Sequence, residues 1–456
     1  MAKTPKKDLK SIRSGVISRG FSLAKLSLGA SSRIAAHKLG NLISGEDPSG
    51  QRLQDLLLAQ VKALASELGQ LKGSLMKVGQ MLSMYGEHFL PPEVNSILKS
   101  LQYQSPPLQW RSIKKELVAE LGNEKLAELE IDHTPLASAS LGQVHRAKII
   151  ATGEEIALKI QYPGVAKAID SDIRTLRGIF GMAQLIPRMP HLDELFSEVK
   201  EMLVQEIDYR KELEYTDYFR EAFKNDKRIV VPKTYPRFST SRVLATSFEE
   251  GFAVDSPEVA ALSQERRNNL GMIALEVYYQ ELFKLGRVQT DPHLGNYRIK
   301  VPSTFLNRGA SDYDDKLILL DFGALRTFDE HWLKNYRAMV RASLHKDRIA
   351  LQKAAEALRF SQSDDDEKLK EIFAEFCFVM TEPVTQGIDY DYKKTDLPKR
   401  LTRMVGTLIS NFKLRAPPRE VVFLDRKTGG VFIFLSVLGA KLNSRVLLDS
   451  YLTEKQ

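Results

Sequence analysis

Apolar residues recur at steps of three and four from Leu53 to Leu82, through Leu57, Val61, Leu64, Leu68, Leu71, Leu75 and Val78. This spacing predicts one amphipathic helix of roughly eight turns whose apolar stripe must bury against something. Pro91-Pro92 stops it after Gly86. A second helical stretch is expected from about Trp110 to Glu130. The period then shortens, and residues 135–162 read as two strands around a turn at Thr152-Gly153. One amphipathic helix is expected from about Leu192 to Phe223, followed by short extended pieces at Ile229–Pro236 and Arg242–Phe248. From about Gln264 the pattern is helical again, broken by loop-and-strand elements around Asp291 and Asp321. Residues 361–370 are polar and acidic and read as a solvated loop, and Pro302 to Asp315 reads as a surface insertion. The pattern as a whole predicts an α+β chain: a helical N-terminal region, a small strand-rich lobe and a larger helical lobe.

Composition adds bounds. At 456 residues and 43% hydrophobic, the chain has ample material for a core and for two to three domains. Its single cysteine, Cys377, excludes an intramolecular disulfide framework and fits a reducing compartment. Lying in Phe376-Cys377-Phe378, it reads as a buried, inert thiol. The net charge of +8 is carried by residues 1–40, where nine Lys and Arg face Asp8 alone, so residues 41–456 are net neutral. Bulk charge therefore argues against nucleic acid as a partner. Three readings of the basic arm stay open. It carries Leu23, Leu26, Ala30 and Ile34 at helical spacing, which suits an anionic membrane surface. Its Lys/Arg/Ser-rich, acid-poor make-up resembles an organelle transit peptide. It could also be a tail leading into a helix on the body. The longest apolar run, Val431 to Ala440, is too short to span a bilayer, and no secretory signal is evident.

Three segments carry candidate chemistry. Glu155-Ile156-Ala157-Leu158-Lys159-Ile160 puts a lysine at the end of an alternating strand, as in the protein-kinase lysine that contacts the α- and β-phosphates of ATP. Asp291-Pro292-His293-Leu294-Gly295-Asn296 sets an asparagine five residues after an aspartate, the spacing of a kinase catalytic loop. There the aspartate orients or deprotonates the acceptor and the asparagine holds metal. Leu317 to Gly323 is an apolar strand delivering Asp321 ahead of Phe322-Gly323, and in kinases that aspartate binds magnesium. Each segment is weak alone: strand-end lysines are usually solvated, and Asp-Pro and Gly-Asn are turn signals. Their order, each in its expected strand or loop context, is what chance does not readily supply. Phosphoryl transfer needs a protein cation and oxygen ligands for metal, so the three are also required jointly. Glu206, Asp208 and Glu212 lie on the helix after Lys159, and Glu212 is the expected partner of that lysine.

Further segments give a family resemblance. Lys77-Val78-Gly79-Gln80, Ala137-Ser138-Ala139-Ser140-Leu141-Gly142-Gln143-Val144-His145 and Glu206-Ile207-Asp208-Tyr209, with the two aspartate segments, resemble the UbiB / coenzyme Q kinase-like family of atypical kinases. The stretch from Pro417-Pro418 through Thr428-Gly429-Gly430 to Leu438-Gly439-Ala440 is similar to the family's C-terminal end, and the chain looks like the soluble branch. The resemblance covers about residues 50–445. It implies a bilobal protein-kinase-like fold with an N-terminal helical extension packed over the cleft. It divides the chain into an arm (1–48), the extension (49–125), an N-lobe (126–248) and a C-lobe (249–456).

It also implies ATP/ADP and Mg2+ (or Mn2+) as cofactors. Ala137, Ser138, Ala139, Ser140, Lys159, Ser247 and Phe248 would touch the nucleotide, and Asn296 and Asp321 would hold metal. Asp291, Lys159 and Lys77 would be catalytic. Lys77 and Gln80, spaced i, i+3 on one helix face, would gate the site, with Lys77 meeting Glu206 and Asp208. Two departures from ordinary kinases stand out. Alanine and serine replace the phosphate-loop glycines and reach φ > 0 less readily, so the loop is expected to be stiffer. Val288-Gln289-Thr290 precedes Asp291, so the arginine of a protein-kinase catalytic loop is missing. The expected function is an ATP- and metal-binding atypical kinase or ATPase supporting isoprenoid-quinone (ubiquinone-type) biosynthesis at a membrane surface. It would be cytoplasmic, peripheral at an inner membrane face, or in the mitochondrial matrix of a eukaryote, with lipid-biosynthesis proteins as partners. The alternatives are a genuine protein or small-molecule kinase, and a non-catalytic nucleotide-switched chaperone for lipids or a complex.

Overall fold

The computed structural model describes residues 77–79, 81, 107–182, 192–291, 293–302, 314–385, 387–411 and 419–453. The expected arm lies outside these residues. So does the expected Leu53–Leu82 helix, Lys77, Val78, Gly79 and Met81 excepted; Gln80 is also outside. Two compact units are present: the chain up to Leu213 with Thr234–Phe248, and Glu214–Lys233 with everything from Glu249.

In the first unit, helix α1 (Trp110–Ala127) stops short of the expected Glu130. Glu130 already belongs to a strand, and the helix is kinked at Gly122, where φ is 76°. Strands β1 (Leu129–Ser138), β2 (Gly142–Ile149), β3 (Glu155–Gln161) and β4 (Val243–Ser247) form one antiparallel sheet in the order β1-β2-β3-β4. The two strands expected over 135–162 are β2 and β3, β1 begins upstream at Leu129, and the extended piece expected at Arg242–Phe248 is β4, paired with β3. The Thr152-Gly153 turn is where the sequence put it, with Gly153 at φ +74°. Ile156, Leu158 and Ile160 alternate into the core with Val243, Ala245, Ile113 and Leu117.

Helix α2 (Val165–Met182) follows, an element the sequence reading did not mark. The single helix expected over Leu192–Phe223 is two, α3 (Leu192–Glu206) and α4 (Tyr209–Ala222). The break falls where Asp208 Oδ1 accepts the Arg210 N–H at 3.2 Å, a side-chain bond that competes with continuing the helix. The boundary between the units lies within α4.

The second unit is built around α5 (Gln264–Tyr279), which opens on a Ser263 cap and runs into a π-helical turn at Gln280–Lys284. β5 (Arg287–Gln289) pairs with β8 (Leu325–Thr327). Between them come β6 (Tyr297–Lys300) and β7 (Lys316–Leu319), with β7 central to a three-stranded sheet completed by Ile229–Val230. Leu317, Ile318 and Leu319 are all buried there, as a central strand requires. The last long helix, α6 (Arg419–Leu438), lays Leu424, Val431, Leu435 and Leu438 into the core.

The two expectations of solvation fail in part: the expected loop over 361–370 becomes a helix at Glu367, and it buries Ser361 and Leu369 as well as Asp365. Asp315 is buried against Arg266, and Asp365 is buried with its Oδ2 accepting the Gln362 N–H. Cys377 is buried as expected, and burial pushes its thiol up to about 12. No helix among the described residues is long and apolar enough to cross a membrane.

Candidate phosphoryl-transfer site

In the first unit, Lys159 stands on β3 on the face opposite Ile156, Leu158 and Ile160, paired in register with Val144 and Leu244. Its Nζ donates to Glu212 Oε1 at 2.6 Å. The carboxylate sits in the first turn of α4, where the helix dipole favours it. The glutamate side chain is 2% exposed and the lysine 23%, so the anion is walled in while part of the lysine side chain meets solvent. The buried Tyr209 ring lies 5.2 Å from the same Nζ. A second pair lies in the same unit: Lys77, itself buried, meets Glu206 at 2.9 Å. Asp208 is the break between α3 and α4 described above.

The Ala137–Ser140 segment is the β1–β2 hairpin. Ala137 and Ser138 pair with Val144 and Gln143, and the Ala139 N–H donates to Gly142 O at 2.8 Å. The Ser138 hydroxyl bonds the Tyr162 hydroxyl at 2.8 Å. The turn is therefore tied down at both ends. Of the residues expected to touch the nucleotide, Ser247 pairs with Ile156, and the Phe248 N–H donates to Glu155 O at 3.0 Å, which commits that amide to the sheet.

The residues after the hairpin have a role the sequence did not disclose. A Cβ on Gly142 would lie 2.5 Å from Ile160 O and 3.0 Å from the Tyr209 hydroxyl, so only glycine fits. Gln143 Oε1 accepts the Leu108 N–H at 3.0 Å, and its Nε2 meets His145 Nε2 at 2.8 Å. His145 Nδ1 lies 2.8 Å from Asp132 O. A carbonyl can only accept, so Nδ1 carries the proton and Nε2 accepts from Gln143. Burial lowers the His145 pKa, against the opposing pull of the Asp132 carbonyl, which keeps the ring neutral. This buried relay fastens the segment entering α1 to the strand that neighbours Lys159.

In the second unit, the two aspartate loops are stitched together. The Thr290 N–H and hydroxyl both donate to Ala324 O, at 2.8 and 2.9 Å. The Leu320 N–H donates to Asn296 O at 2.9 Å. Asn296 Nδ2 donates to Asp291 O at 2.9 Å, so its amide oxygen is the atom offered elsewhere. Asp321 Oδ1 accepts the Gly323 N–H at 2.9 Å. Phe322 is buried and stacks on Phe219 with centroids 4.7 Å apart. One carboxylate and one amide oxygen, both hard donors held by backbone bonds, suit a magnesium-type ion, which takes few protein ligands and shares the rest with phosphate and water. Among the described residues, no cluster of three or more His, Cys, Asp or Glu could hold a metal.

The cation that the Asp291 loop lacks comes from α6. Arg426 Nη2 donates to Asp291 Oδ1 at 2.7 Å. The absence of an arginine, read from the residues before Asp291, is thus true of the loop and untrue of the site. The next residue, Lys427, is buried in a 2.8 Å pair with Glu281 from the π-helical turn and also bonds Tyr297. Burial pulls the Lys427 ammonium down, but Glu281 and Tyr297 outweigh it and hold its pKa above the usual lysine value. A sequence signal existed for Lys427: it interrupts the apolar stripe of α6 at a core position. Arg426 had no such signal.

A four-stranded sheet presenting a Lys–Glu pair, and stitched Asp…Asn and Asp-Phe-Gly loops, are the parts of a kinase-like fold. Residues 100–355 match the ABC1 atypical kinase-like domain, and the chain belongs to that family, the UbiB/COQ8 group of atypical kinases. It is 28% identical to the mitochondrial atypical kinase COQ8 of Saccharomyces cerevisiae over 448 residues, covering 98% of this chain and 86% of the yeast protein. It is 30% identical to the mitochondrial atypical kinase COQ8B of Danio rerio over 432 residues, covering 93% and 66%. Among solved structures it resembles Rv3197 of Mycobacterium tuberculosis, determined in complex with erythromycin, with a TM-score of 0.57, 26% identity and coverage of 88% of this chain and 97% of the other.

Proposed function

We propose that this protein is an ATP- and Mg2+-dependent atypical kinase or ATPase that supports isoprenoid-quinone biosynthesis. The observation that carries the reading is the joining of the Asp291 and Asp321 loops through Thr290–Ala324 and Asn296–Leu320, which fixes acceptor-orienting and metal-binding groups as one rigid piece. Lys159, steadied by Glu212, takes the α- and β-phosphates, and Asn296 and Asp321 take the metal. The ion neutralises phosphate charge when bound. Asp291 orients water or an acceptor hydroxyl and receives its proton as the new phosphorus–oxygen bond forms and ADP leaves. Lys77, held at Glu206, acts on the site from the extension together with Gln80. The tied-down Ala137–Ser140 hairpin favours water or a small acceptor over a protein side chain. The names of the yeast and fish relatives support the quinone setting and a mitochondrial location. The basic arm of residues 1–40 supports peripheral contact with an anionic membrane.

The test is ATP hydrolysis and ATP-induced melting shifts in the full-length protein, with and without Mg2+ and anionic liposomes. Expected are a Mg2+-dependent rise in Tm, absent in Asp321→Asn, and liposome stimulation lost on deleting residues 1–40. No Mg2+-dependent shift, with Asp321→Asn behaving as wild type, would sink the nucleotide reading. Stimulation that survives the deletion would remove the arm from the mechanism.

A further inference from the structure

We propose that Arg426 is a positioning residue for phosphoryl transfer, fixing the Asp291 carboxylate from α6 in place of a catalytic-loop arginine. This rests on the reading of Asp291 given above. No Lys or Arg occurs between Arg287 and Arg298, so the loop brings no permanent cation of its own. Its backbone is held by Asn296 and by the Thr290–Ala324 bonds, neither of which touches the carboxylate. The Arg426 Nη2–Asp291 Oδ1 bond does, with both side chains mostly buried, at 11% and 15% exposure.

The arginine is itself held in place. Lys427 is fixed by Glu281 and Tyr297, Thr428 bonds the Tyr278 hydroxyl at 2.7 Å, and Tyr297 directly follows Asn296. A shift of α6 would therefore move the cation at Asp291 and disturb the metal-side asparagine together. Arg426 Nη1 is buried with no hydrogen-bond partner among the described residues. That is a poor arrangement for an arginine serving only to dock a helix, since a buried donor left unpaired is costly. It is an acceptable one for an arginine retained for what its other nitrogen does to Asp291.

A docking arginine and a positioning arginine separate in kinetics. Arg426→Gln is expected to lower kcat for ATP turnover about 100-fold, the scale of a small misplacement at a reacting group. The KM for ATP should stay within about threefold, and the Mg2+-dependent ATP shift in Tm should persist. Arg426→Lys, which keeps charge but loses the fork, should recover to within about tenfold of wild type. In an Asp291→Asn background, Arg426→Gln should cost less than about twofold more, since the two act as one unit. Additive losses, a raised KM at unchanged kcat, or a kcat that rises would each overturn the proposal. Where Arg426→Gln does not fold, the same cycle with Arg426→Lys decides, non-additivity supporting the inference and additivity overturning it. Wild-type protein with neither turnover nor an ATP shift defeats the proposed function and this inference with it. Turnover in wild type with additive variants defeats the inference alone.

Discussion

One long-range lysine–glutamate pair from each unit, Lys159–Glu212 and Lys427–Glu281, can be set side by side, and the two differ in one respect. Glu212 and Glu281 are equally buried, at 2%, but Lys159 is 23% exposed and Lys427 only 2%. A lysine whose side chain is partly in solvent can fall back on water if its partner is lost. Lys427, sealed with its partner, cannot, and it holds α6 to the π-helical turn. On the proposed function, the same pair chemistry would serve a ligand at Lys159, while at Lys427 it joins two elements of the core.

That contrast can be broken by experiment. Glu281→Ala leaves Lys427 buried without its countercharge and should cost about 3–5 kcal/mol in denaturant unfolding, with Glu281→Leu/Lys427→Met recovering most of it. A loss below about 1 kcal/mol would mean that Lys427 reaches water and that the contrast is false. Glu212→Gln should cost only about 1 kcal/mol of stability, because Lys159 can turn to solvent, while weakening ATP binding about tenfold. Equal stability losses at Glu212 and Glu281 would erase the distinction. Gly142→Ala sharpens it from the side of the sheet: its Cβ would strike Ile160 O next to Lys159, so about 1–3 kcal/mol of stability should go, with the ATP shift reduced.

The smallest expected effect is a pH dependence confined to the first unit. His145 is neutral when folded and its pKa is lowered by burial, so the unfolded chain takes up the proton first as pH falls. Stability should then decline as pH drops from the ordinary histidine range towards the folded value, by no more than about 1.4 kcal/mol per pH unit for one proton. His145→Gln should flatten that slope; an unchanged slope would assign it to other groups.

Much of the site could be read in the chain because the informative contacts are local. The strand that carries Lys159, the spacing from Asp291 to Asn296 and the apolar run into Asp321 each lie within a few residues, where periodicity and turn chemistry act. Glu212 was legible as an acid on a helix downstream of the lysine strand, although two other helices, α2 and α3, intervene. What escaped notice was long-range or capped by a single side chain. The break at Asp208 hangs on one oxygen, and the pairing of the expected Arg242–Phe248 piece with β3 joins segments some eighty residues apart. Arg426 reaches Asp291 across 135 positions, a separation over which no local pattern carries information. Lys427 was visible in principle as a charge in an apolar stripe, since a charge there demands a buried partner.

Cys377 has a practical consequence. It is the only thiol in 456 residues, it is buried, and burial holds its pKa near 12, so it stays almost wholly protonated at neutral pH. The native chain is therefore close to silent towards maleimides and iodoacetamides. A cysteine installed at an exposed position such as Ile349 would take a fluorophore or spin label in the unaltered background, without first removing a native residue from the core.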